Sequence, residues 1–81
     1  MKPLSEVPLN QEVIICSIHH EASMKRRLMD LGFVENSVVK PVLESPRRGM
    51  RAYLIKGCKI GLRQEESAAI AVKEKGDGDD V

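Results

Sequence analysis

The chain has 81 residues, with 13 Lys and Arg against 12 Asp and Glu and a formal charge of +1. That length makes one domain with a thin core, which weighs against a deep catalytic cavity. A near-neutral balance gives no overall basic excess for a phosphate backbone, and no apolar run is long enough to span a membrane.

Met1 to Asn10 lacks the apolar stretch of a secretory signal. The two cysteines, Cys16 and Cys58, are therefore expected as reduced thiols, packed as small core residues. Leu4 to Pro8 reads as a short turn leading into the domain. Val13 to Ile18 is a β-branched apolar run too short for a buried helix, so it is a strand. His19, His20 and Glu21 end it.

Ser23 to Leu31 follows as a helix, with Met24, Leu28 and Leu31 on one face and Lys25, Arg26 and Asp30 turned to solvent. Ser23 is placed to cap its start. Gly32 stops it, because glycine can take the left-handed conformation after a helix end, and Phe33 then falls beside Leu28. Val38 to Leu43 is the next strand, with Pro41 marking an edge or a bulge, since proline donates nothing to a ladder. Ser45 to Gly49 is a loop. Ala52 to Lys56 and Cys58 to Leu62 form a hairpin around Lys56-Gly57. Gln64 to Ala69 is a helical turn or two, and Ile70 to Val72 a closing strand.

These elements predict a mainly β domain over residues 1–73 and a disordered acidic tail over 74–81, carrying Asp77, Asp79 and Asp80. Short strands around one helix suggest a partly closed barrel, because closure removes exposed sheet edges. A small SH3-like β-barrel with one inserted α-helix fits the length, and an OB-like barrel is the near alternative.

Taken together, Leu4-Ser5-Glu6-Val7-Pro8, Arg27-Leu28-Met29-Asp30-Leu31-Gly32-Phe33, Ser45-Pro46, Gly57 and Ile60-Gly61-Leu62-Arg63-Gln64-Glu65-Glu66 resemble the FeoA family, ferrous iron transport protein A. The correspondence runs from Leu4 to Val72. The resemblance implies an SH3-like barrel with an inserted helix, in a cytoplasmic protein that supports ferrous iron uptake. The implied partner is the FeoB-type permease, which carries a GTP-binding domain. Contact with it would place the chain peripherally at the inner face of the cell membrane, with no membrane insertion of its own. The family implies no catalytic residues and no cofactor. Asn10 and Asn36 stand where relatives often have glycine, and asparagine tolerates positive φ well enough to keep those turns. Arg48-Gly49-Met50 departs from a frequent Gly-Asp-Pro.

Cys16, His19 and His20 form C-x-x-H-H, the one metal-like spacing in the chain. A structural zinc site needs four ligands, and only the distant Cys58 could join. Adjacent histidines on extended chain also point to opposite sides. The ordinary reading is a buried Cys16 beside two exposed histidines, and no metal ligand is assigned. Arg26, Arg27, Arg47, Arg48, Arg51, Lys56 and Lys59 could make a basic face. Single-stranded nucleic acid needs stacking aromatics as well, and only Phe33 and Tyr53 exist. A solvated surface is therefore expected, with no nucleic-acid partner. Ser17, His19 and Asp30 sit in no nucleophile motif, and Glu65 and Glu66 are expected to cap or decorate the short helix rather than act as an acid–base pair.

The better candidate for a function is protein contact through Met29, Arg47, Arg48 and Met50, since arginine and methionine are favoured at interfaces. Met29 lies off the Met24–Leu28–Leu31 stripe, so it either fills a second pocket or forms an exposed apolar contact. The alternative function is a stand-alone SH3-like regulatory domain, related to the C-terminal domain of metal-dependent repressors.

Overall fold

Two bulges decide which side chains of this small sheet face inward. The structure is a computed structural model that describes residues 1–47 and 49–75. In chain order it contains β1 (Lys2–Pro3), a 3-10 turn (Leu4–Glu6), β2 (Val13–Ile18), α1 (Ala22–Asp30), β3 (Val38–Glu44), β4 (Met50–Ile55), β5 (Cys58–Arg63), α2 (Gln64–Ala68) and β6 (Ile70–Glu74). The strands form one antiparallel sheet in the order β1-β6-β2-β3-β4-β5.

In β2, Ile15 pairs with Val72 but Ser17 pairs with Ala71, which leaves Cys16 as the extra residue. The bulge shifts the alternation by one place, so Val13, Ile15 and Ile18 are all buried. In β3, Pro41 pairs with Tyr53 and Leu43 with Ala52, so Val42 is extra. This is the bulge that Pro41 foretold. Its β2 neighbour pairs only with Val38 and Val39, so the missing proline N–H breaks no ladder there. The Pro41 carbonyl instead accepts a 2.6 Å bond from the Asn10 N–H.

The helix ends as its sequence requires. Gly32 has φ 110°, the Phe33 N–H reaches the Leu28 carbonyl at 3.0 Å, and the Gly32 N–H reaches that of Met29 at 3.0 Å. These two bonds are the paired closure of a Schellman ending. Leu28 and Phe33 are both fully buried in one core cluster. The start differs from expectation. The helix begins at Ala22 behind an extended Glu21, so Ser23 lies inside the first turn. Its hydroxyl donates to the Glu21 carboxylate at 3.1 Å instead of capping the backbone.

Lys56 and Gly57, with φ 50° and 82°, form the two-residue hairpin turn between β4 and β5. Positive φ at both positions matches the twist of the strands they join. Asn10 and Asn36 both have φ 71°, so asparagine holds both turns in the left-handed region.

The core gathers the inward residues of every long strand with Leu4, Val7, Leu28 and Phe33. β1 went unread in the sequence, being only two residues long. Among the described residues no ladder joins β5 to β1, so the sheet is not closed into the partly closed barrel expected of it. The acidic tail lies mostly outside the described residues; Glu74 ends β6, which therefore runs two residues past the expected Val72.

Candidate interaction surface

Two of the basic residues taken as surface charge hold the fold together. Arg51 lies in β4 rather than in the preceding loop, and it is 8% exposed. Its Nη1 donates to the carbonyls of Leu4 at 3.4 Å and Ser5 at 3.0 Å, and its Nη2 to that of Val7 at 2.7 Å. Its Nε stands 3.5 Å from the Glu44 carboxylate. The guanidinium sits 5.7 Å from the Tyr53 ring centre, and Tyr53 meets Phe33 edge-on at 6.4 Å. Arg51 thus donates to carbonyls of the 3-10 turn and of Val7 just after it, and shares the Leu4 carbonyl with the Val7 N–H, which reaches it at 3.1 Å.

Arg27 reaches from α1 to Glu66 in α2, Nη1 to Oε2 at 2.7 Å. The other Glu66 oxygen accepts the Arg63 N–H at 2.8 Å, at the first turn of α2. Glu66 is therefore the helix-capping residue expected of it, and its buried carboxylate has a donor on each oxygen. Glu at the third position of a short helix is a readable cap signal. Nothing in the sequence pointed to Arg27 as its partner.

The cysteine–histidine spacing does not converge. Cys16 is half-buried on the β2 bulge, and Cys58 is exposed at the start of β5, so neither is the core residue expected. Cys58 opens β5 directly after the hairpin turn, and the cover that buries its register partner Ile55 does not extend to it. The exposed His19 Nε2 lies 2.7 Å from the Ser17 hydroxyl, and His20 Nδ1 accepts the Glu21 N–H at 2.8 Å. Among the described residues no group of three or more His, Cys, Asp or Glu is placed to hold a metal ion. Among the described residues no helix is long and apolar enough to cross a membrane.

The candidate contact residues stand on more than one surface. Met29 is 45% exposed and opens into a hollow of about 460 Å³, bordered by Ile18, Lys25, Val34 and Asn36. Of its two expected placements, the exposed one holds. Met50 is 43% exposed and lines a separate depression with Leu43, Ala52 and Gly61. Arg47 is exposed in the loop before β4, and Arg48 lies outside the described residues.

The FeoA domain profile matches residues 2–74. No curated protein matches the chain. Among solved structures, the FeoA protein from Chlorobium tepidum is 27% identical with a TM-score of 0.85, over 91% of this chain and 70% of that one. The Stenotrophomonas maltophilia FeoA complexed with zinc, described as a procaryotic SH3 domain protein, is 28% identical with a TM-score of 0.78. That match covers 90% of this chain and 91% of the other. A manganese-dependent transcriptional repressor shares the fold alone, at 18% identity and a TM-score of 0.83, over 90% of this chain and 36% of its own. The profile match spans every described element, from β1 to the end of β6, and the chain belongs to the FeoA family.

Proposed function

We propose that this chain is a cytoplasmic accessory of bacterial ferrous iron uptake, acting by contact with the GTP-binding FeoB-type permease and catalysing no reaction itself. The observation that carries this reading is membership of the FeoA family over residues 2–74. Its exposed methionines and arginine, Met29, Met50 and Arg47, are the side chains that suit a protein contact, and Arg48 is proposed with them. Burying part of that surface on the permease would hold the chain at the inner face of the membrane. Pull-down with the permease's soluble domain and with the full-length permease, each with and without guanine nucleotide, tests it. Retention that is lost in M29D supports the reading; no retention under any condition contradicts it.

The likeness to the repressor's fold favours one second reading, a detached regulatory domain of SH3 type. Finding that the neighbouring reading frame encodes a large membrane protein with a GTP-binding domain would support the first reading over the second.

A further inference from the structure

The outer face of β3, β4 and β5 carries an apolar strip with a basic border. Along β4 the outward residues are Met50, Ala52 and Leu54, and Leu43 of β3 stands beside Ala52. Leu43, Met50 and Leu54 are 55%, 43% and 38% exposed. On the other side Ala52 faces Gly61 of β5, where a Cβ would come within 3.4 Å of the Met50 methyl carbon. Ala52 and Gly61 therefore leave a shallow hollow between larger apolar side chains. Lys40 and Lys59 flank Leu54, and Arg63 faces Met50. Among the described residues these three cations have no hydrogen-bond or ion-pair partner.

We infer that this face docks an acidic amphipathic helix of a partner protein, apolar residues in the hollow and carboxylates on Lys40, Lys59 and Arg63. The strip from Met50 to Leu54 is about 13 Å long at the rise of a strand, close to the roughly 10 Å between positions i and i+7 of a helix. Unpaired cations around an apolar centre are the complement of such a helix. A second copy of this chain fits poorly, because a two-fold contact would set one basic border against the other. A lipid surface fits poorly too, since membrane insertion needs apolar tips that protrude, and the centre here is recessed.

The inference rests on the reading that the chain works by protein contact, but not on which protein is touched. The probe is a labelled helical peptide of about 18 residues with leucine at i, i+3, i+4 and i+7 and glutamate elsewhere. A scrambled peptide of the same composition and anionic phosphatidylglycerol vesicles serve as the other arms. The expected result is saturable binding of the ordered peptide, with amide shifts at Leu43, Met50, Leu54 and Gly61. Binding should weaken roughly tenfold in K59E/R63E, through lost charge complementarity. It should weaken similarly in G61V, which fills the hollow against a flexible methionine tip and suits a strand. Equal binding of the scrambled peptide, shifts confined to other residues, or capture by the vesicles alone would overturn the inference. So would an absence of binding. If the permease captures the protein while the peptide leaves this face untouched, the docking face is wrong and the permease reading stands.

Discussion

Arg27 and Glu66, 39 positions apart in sequence, meet at 2.7 Å and tie the inserted helix to the short helix before the last strand. The pair is lopsided: the arginine side chain is half exposed while the glutamate is 8% exposed. Its value therefore lies less in the attraction than in giving a buried carboxylate its donor.

Removing either partner should show this asymmetry. R27A leaves one Glu66 oxygen short of a donor, at a cost of about 1 kcal/mol. E66A also removes the acceptor for the Arg63 N–H and should cost more, about 2 kcal/mol. Urea unfolding of both variants checks the order, and equal stability of E66A and the parent protein contradicts it.

Arg51 should not be replaceable by lysine. One ammonium cannot reach the Leu4, Ser5 and Val7 carbonyls as a planar fork does. R51K is expected to lose at least about 2 kcal/mol and to speed hydrogen exchange in the segment from Leu4 to Val7. A change under about 0.5 kcal/mol would mean that the clasp contributes little.

Gly32 should be intolerant for reasons of backbone rather than space. A Cβ there meets only ordinary contacts, the nearest at 3.8 Å to Lys56, but φ is 110°. G32A is expected to cost about 1–2 kcal/mol through that conformation. A Cβ at Gly61, where φ is not positive, brings no such backbone penalty.

Among the described residues the buried Tyr53 hydroxyl has no hydrogen-bond partner. Y53F removes an unsatisfied group while keeping the ring against Phe33 and Arg51. Its stability should equal the parent's or exceed it by up to about 1 kcal/mol. Thermal unfolding decides this, and a clear loss would show that the hydroxyl has a partner in solution.

Local chemistry was the legible part of this fold. The Gly32 ending, the Lys56-Gly57 hairpin and the Pro41 bulge are each set within a few residues, so their types and positions follow from sequence. The helix start was misplaced because Ser23 is a good cap by type while the chain turns helical one residue earlier. Arg51 and Arg27 read as surface charge because the carbonyls that Arg51 bonds and the buried carboxylate that Arg27 bonds lie 39 or more positions away, where no periodicity reports them. Cys58 shares the inward parity of Ile60 and Leu62, but parity does not say where the core ends. Of the contact surface, residue types were readable; the outer-face border of Lys40, Lys59 and Arg63 needed the strand register.

The proposed function puts the outer surface of this domain against a permease. An NMR titration of the isotope-labelled protein with the permease's GTP-binding domain and with the full-length permease, in each nucleotide state, tests it most directly. Signals of Met29, Arg47 and Met50 should shift or broaden while those of the interior Phe33 and Tyr53 hold. A spectrum unchanged in every nucleotide state, with either form of the permease, would contradict it.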